Sequence, residues 1–219
     1  MILCLETATK NCSVALITSE GTQFELAEFS DKFIHGERLH LLIQELMSKA
    51  NIGFSDLSGV CVTKGPGSYT GLRIGVSTAK GICYASKLPF YSVPALSCWD
   101  FKEIKATQCI SVIDARRDEV YAQKWEVKNG VLQSIDPVHA EVVTARSWSS
   151  WSNESVVVLG ECAEKVRELH NNPRWSYLEN SFPSASNILW GEMQLEDVAY
   201  FEPFYLKDFI ALKSSKKLL

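Results

Sequence analysis

No two cysteines of this 219-residue chain stand in a C-x-x-C pair, although it carries seven: Cys4, Cys12, Cys61, Cys83, Cys98, Cys109 and Cys162. An odd, scattered set argues against a disulfide framework or a zinc knuckle and reads as small core residues in a reducing compartment. Histidine is scarce as well, with four in the chain. His35 and His40 would lie about 140° apart around a helix, so they cannot share an ion as the i, i+4 histidines of H-E-x-x-H do. His139 and His170 fall in polar stretches and read as exposed. A surplus of positive charge is also missing: 22 basic against 26 acidic side chains leave −4. Nucleic acid would therefore have to be reached through a local patch or another subunit. No apolar run is long enough to span a bilayer. The opening Met1-Ile2-Leu3-Cys4-Leu5 carries neither the basic region nor the cleavage signal of an exported chain, so a cytosolic protein is expected, with no membrane partner. What remains, 46% apolar and 22% charged residues, suits a globular protein with a real core.

The pattern along the chain predicts α/β architecture. Ile2–Leu5 and Cys12–Thr18 are β-rich runs joined by a polar turn, and a weaker strand follows over 23–29 after the Ser19-Glu20-Gly21 turn. Leu39, Leu42, Ile43, Leu46, Met47 and Ala50 then recur at helical steps from His35 until Asn51 and Gly53 end them. Gly59–Thr63 is a compact strand, Lys64–Thr70 a loop, Gly71–Lys87 a helix and Pro89–Val93 a strand. The second half opens in the same way: Cys109–Asp114, Glu119–Val127, a Lys128-Asn129-Gly130 turn into Val131–Ile135, and later Ser155–Leu159, Gly160 and a helix over 162–169. This order matches two ribonuclease-H-like, actin-like lobes over 1–105 and 106–219, each a mixed sheet flanked by helices, a plausible duplication. The last segment could pack back on the first lobe.

Gly65-Pro-Gly-Ser-Tyr-Thr-Gly-Leu-Arg-Ile-Gly75 joins a strand to a helix and could expose amides to an anion, but it has neither the Walker ending nor a G-x-G-x-x-G register. The helix carries Gly71, Gly75 and Gly81, each unfavourable by roughly 1 kcal/mol against alanine, which calls for close approach of another backbone. That neighbour could be the lobe's own sheet or a second subunit.

The run GPGSYTGLRIGVSTAKG resembles the signature of the TsaB (YeaZ) family, with Tyr69 where phenylalanine is usual. LCLETATK followed by CSVAL, HGERLHLLIQEL, VIDARRDEVYA and FEPFYLK extend the resemblance over most of the chain. The resemblance implies an actin-like fold, a homodimer when alone, a heterodimer with the catalytic subunit TsaD, and the ATPase TsaE as a further partner. It also implies a role in placing threonylcarbamoyl on adenosine of tRNA, with tRNA met only within the complex. Through it, the interface is assigned to Tyr69, Thr70, Gly71, Leu72, Arg73, Ile74, Gly75, Thr78, Ala79 and Ile82. Gly75→Trp and Ile74→Glu are expected to leave a soluble fold that no longer pairs.

The same resemblance argues against catalysis by this chain. TsaD carries an Asn-His-x-x-x-His metal motif where this chain reads Val93-Pro-Ala-Leu-Ser-Cys-Trp99, with Ala95 and Trp99 in the ligand places. Cys98 reads as core. Glu6 replaces the aspartate usual at the first turn. Asp114, Arg116, Arg117, Asp118 and Glu119 read as a solvated charged turn, and Lys213, Lys216 and Lys217 as a solvated tail. No catalytic residue, metal or cofactor is expected. An independent actin-like phosphotransferase and a metallopeptidase are the alternatives.

Overall fold

Two short apolar runs open the chain as strands, β1 (Ile2–Glu6), fully buried, and β2 (Asn11–Thr18), buried up to Ile17, which pair antiparallel with Leu3 opposite Leu16. β3 (Gly21–Phe29) follows, with Phe24 and Leu26 turned to the core and alternate neighbours to solvent, as in a half-buried strand. Helix α1 (His35–Ala50) buries the Leu39, Leu42, Ile43, Leu46 and Met47 stripe and stops where Asn51 turns left-handed. Next come β4 (Gly59–Thr63), α2 (Tyr69–Ser86) and β5 (Phe90–Val93). Helix α2 starts before Gly71 because the Ser68 hydroxyl caps it, accepting from the Gly71 amide at 3.2 Å. In this computed structural model the described residues are 1–32, 34–101, 104, 106–128, 131–188 and 192–207. The expected turn residues Asn129 and Gly130, and the three C-terminal lysines, lie outside them.

The second half supplies β6 (Gln108–Asp114), β7 (Glu119–Lys128), β8 (Val131–Ser134), β9 (His139–Val142), β10 (Val156–Leu159), α3 (Ala163–His170) and β11 (Ser176–Leu178). β12 (Gln194–Glu196) then crosses back to pair with β5. The first sheet runs β12-β5-β4-β1-β2-β3 and the second β11-β10-β6-β7-β8, with β9 also on β7. In both, the first strand is antiparallel to the second and parallel to the strand that precedes the glycine-to-helix step. The faint resemblance between the two halves is thus explicit in strand order and direction: two mixed sheets flanked by helices, in the actin-like arrangement.

Helices α1 and α2 cover one face of the first sheet, while the returning stretch 183–188 covers the other, Ala185 and Ile188 packing on Ile2, Ala15 and Ile17. The Ala185 amide donates to Ser13 Oγ at 2.9 Å, and Asn11 Nδ2 to the Pro183 carbonyl at 2.9 Å. Between the lobes, Leu72, Leu96 and Trp99 meet Ile113, Trp125 and Leu159. Ala95 and Trp99 are therefore part of this seam. All seven cysteines are buried and free, and burial pushes Cys12 and Cys109 up to about 12, as expected of inert core thiols.

One expectation is overturned in the second lobe. His170 is buried, stacked on Trp175 with ring centroids 4.4 Å apart, because α3 brings its last turn against the Trp148 and Trp175 rings. Burial lowers its pKa. The polarity of its sequence neighbours concealed this, since a helix buries a stripe and not a window. No helix among the described residues is long and apolar enough to cross a membrane.

Candidate partner-docking face

Helix α2 has two unlike sides. On the inner side, Val76, Ala79 and Cys83 pack into the first core, and Leu72 packs into the seam between the lobes. Beside them, a Cβ on Gly71 would stand 2.2 Å from the Thr7 carbonyl oxygen, and one on Gly75 2.2 Å from Thr7 Oγ1. A Cβ on Gly67 would stand 2.4 Å from the Ala8 carbonyl oxygen, to which Ser68 N–H donates at 2.7 Å. The close neighbour required by these glycines is the β1–β2 turn of the same lobe. Gly75→Trp would therefore break the lobe itself, which corrects the expectation that it would spare the fold. An amide at the helix entrance is also already committed to Ala8, which weakens the reading of this loop as a phosphate cradle.

At 100° per residue the opposite side of α2 carries Thr70, Ile74, Ser77, Gly81 and Ala85, within an arc of about 80°. Thr70, Ser77, Gly81 and Ala85 are exposed, and a Cβ on Gly81 would have nothing within 4 Å. Of the ten residues assigned to the interface, the structure places Tyr69, Thr70, Arg73, Ile74 and Ile82 on exposed or half-exposed surface. Gly71, Leu72, Gly75, Thr78 and Ala79 are buried. Ser77, Gly81 and Ala85, which share the exposed side, were not among the ten; plotting the whole helix as a wheel, instead of following its glycines, would have placed them there.

The outer side is flanked by two features. Towards α1, a groove of about 230 Å³ is lined mainly by apolar side chains, among them Ile43, Met47, Ile52, Phe54 and Ile82. On the other flank runs the segment after β12. Lys80 Nζ donates to the Ala199 and Phe201 carbonyls at 3.2 and 3.0 Å, Phe201 packs edge-on against Phe90, and the Phe204 amide donates to Lys64 O at 2.7 Å. Arg73 lies 4.2 Å from the Tyr69 ring centre and donates through Nε to the Tyr205 hydroxyl at 3.0 Å.

A cleft of about 880 Å³ separates the lobes, walled by Ala8–Lys10 and the start of α2 on one side and by Asp114–Arg116, Glu161 and Lys165 on the other. Its charges are largely paired: Lys165 with Asp114, Lys207 with Glu119, and Lys10 with Asp31. Arg116 and Arg117 both hold left-handed backbone at the β6–β7 turn. Below the cleft, Glu6 is fully buried and accepts from the Ala8 amide through Oε1. Burial raises its pKa from 4.5 to about 7, the Thr63 hydroxyl and the Ala8 amide offsetting part of the cost. Oε2 has no well-directed hydrogen bond. Glu6 thus sits inside the protein, withdrawn from the cleft where an acid could manage a metal. Among the described residues no three His, Cys, Asp or Glu side chains gather as a metal cage.

Comparison with known proteins gives the family. Residues 34–200 match the model of the family described as TsaD, tRNA N6-adenosine threonylcarbamoyltransferase. The chain is 32% identical to the tRNA threonylcarbamoyladenosine biosynthesis protein TsaB of Bacillus subtilis, covering 94% of this chain and 93% of that one. It is 28% identical to the Escherichia coli protein of the same name, over 97% and 96% of the two chains. A solved Pseudomonas aeruginosa structure, described as an uncharacterized protein with similarity to peptidase YEAZ, superposes with a TM-score of 0.81 at 24% identity, covering 94% of this chain and 99% of that one. The chain belongs to the TsaB (YeaZ) family.

Proposed function

We propose that this protein acts in the formation of threonylcarbamoyladenosine in tRNA as a non-catalytic subunit. It pairs through the outer side of α2 and the adjoining α1–α2 groove with a TsaD-type transferase, and with a second copy of itself when alone. TsaE joins the assembly, and tRNA is met only there. The observation that carries the reading is the contrast within α2. Its inner glycines are filled by the β1–β2 turn, while Gly81 is bare in an uncharged stripe beside an apolar groove. A helix can approach such a stripe closely and exclude water without burying a charge. The shared family model supports a partner built on related helices. The chain's own part in the reaction is shape: it holds and stabilises the transferase, and donates no reacting group.

The committed helix-entrance amide and the buried Glu6 weigh against an independent phosphotransferase, and the seam positions of Ala95 and Trp99 against a metallopeptidase. Ile74→Glu and Gly81→Trp should each abolish pairing with self and with the transferase in sedimentation experiments, while thermal unfolding of the monomer changes little for Gly81→Trp and falls modestly for Ile74→Glu, whose side chain packs partly against the first core. Threonylcarbamoylation by the cognate transferase and TsaE, supplied with the threonylcarbamoyl adenylate, should need this protein and fall with either variant. Unchanged pairing in both variants, or full activity without the protein, would defeat the proposal.

A further inference from the structure

Helix α2 carries two cations, and the structure uses them differently. Lys80 is committed to the Ala199 and Phe201 carbonyls. Arg73 is exposed, yet its guanidinium is held in place: it lies 4.2 Å from the Tyr69 ring centre and 5.9 Å from that of Tyr205, whose hydroxyl takes the Nε–H at 3.0 Å. The two tyrosine rings themselves are 5.1 Å apart. Among the described residues no carboxylate lies within ion-pair distance of Arg73, although Glu202 is near enough to act on it electrostatically, and its one described hydrogen bond is made through Nε, leaving the Nη groups to a partner. A free surface arginine loses rotamer entropy when it is fixed on binding, and here that ordering precedes any partner.

We propose that Arg73 is the polar anchor of the docking face and takes a carboxylate of the transferase subunit in a bidentate pair. The inference rests on the α2 reading given above. A planar fork carrying several donors fits a carboxylate in this way, and aromatic-stacked arginine suits a desolvated interface better than a hydrated ammonium does. The surroundings favour protein over RNA. Thr70, Ile74 and Ser77 beside it are uncharged, and Lys10 and Lys207 at the nearby cleft are paired with Asp31 and Glu119. Arg116 and Arg117 are exposed and make no ion pair among the described residues, but Arg116 stands on the opposite wall of the cleft, and the α2 flank itself offers Arg73 alone where a phosphate backbone needs a run of free cations.

The test is calorimetric titration of the cognate transferase subunit with the full chain and its variants at two salt concentrations, alongside Ile74→Glu. Arg73→Gln should weaken binding by about thirtyfold or more and flatten its dependence on salt. Arg73→Lys should recover only part of the affinity, since the charge is kept and the fork lost. Tyr205→Phe, which removes the Nε acceptor but leaves the ring, should cost a few-fold. If Ile74→Glu abolishes binding while Arg73→Gln binds as the unaltered chain does, the anchor is refuted and the docking face stands. If neither variant changes binding, both fall. Arg73→Gln that pairs normally but weakens tRNA retention by the assembled complex would assign the guanidinium to phosphate and overturn the carboxylate.

Discussion

The two lobes run their strands in one order and treat the matching ends of those strands differently. β1 ends in Glu6, sealed inside the protein with its pKa raised to about 7. Its counterpart β6 ends in Asp114, which faces solvent at the cleft and pairs with Lys165. Above the first sheet lie helices of 16 and 18 residues; the second sheet is covered by one helix of 8 residues and a cluster of Trp148, Trp151 and Trp175. The same framework has therefore been finished in two ways. The first lobe turns its cleft end inward, knitting the β1–β2 turn into α2, and offers an uncharged helix face outward. The second keeps a charged rim on the cleft. With the two sheets alike in strand order, the difference between the lobes lies in what covers them.

The sharpest way to break this comparison is to disturb the knit. Gly71→Ala places a methyl against the Thr7 backbone oxygen, which cannot swing aside as a side chain could. Overpacking against rigid backbone should cost about 3 kcal/mol, the upper end of the usual range for an inserted methyl, seen as a fall in the urea midpoint with little change in slope. A midpoint close to that of the unaltered protein would mean that the turn is not fastened to α2.

Glu6→Gln comes next and separates the two acidic strand ends. Between about pH 4.5 and 7 the folded chain keeps a proton that the unfolded chain releases. Stability is therefore greatest below that window and falls as pH rises through it. The full loss, about 3 kcal/mol, is present above it. Glutamine is neutral throughout and can still accept from the Ala8 amide. The variant should match the parent near pH 4 and exceed it by about 2 to 3 kcal/mol at pH 8, measured by urea unfolding at both values. An unchanged pH slope would move its origin to Glu161 or Glu192, whose pKa values burial also raises.

How much of this was legible beforehand follows from the physics of each feature. The α1 stripe of Leu39, Leu42, Ile43, Leu46 and Met47 was readable because burial on one face imposes a helical period. The doubled strand order was suggested by turns, and it became explicit only with the register. Gly71 and Gly81 look alike in sequence; one is answered by Thr7 and the other by nothing, a difference that depends on residues some sixty-five positions away. The Tyr69, Arg73 and Tyr205 stack joins α2 to a segment 132 positions on, so no local pattern could announce it. Glu6 was noted as a departure from aspartate, but its complete burial depends on Thr63 and the closed turn above it.

The smallest expected effect discriminates most finely between the two sides of α2. Gly81→Ala adds a methyl to an exposed helical position with open space around it, so the isolated chain should gain up to about 1 kcal/mol from helix propensity alone. Measured on the Ile74→Glu background, in which the proposed pairing should be lost, the urea midpoint should rise. In the otherwise unaltered chain the proposed pairing would place the same methyl between closely approaching helices, and self-association should weaken by a few-fold in sedimentation equilibrium. The two measurements should thus move in opposite directions, whereas Gly71→Ala lowers stability on either background. If Gly81→Ala raised stability and left pairing untouched, the contact would lie elsewhere on the uncharged stripe, away from its one bare glycine.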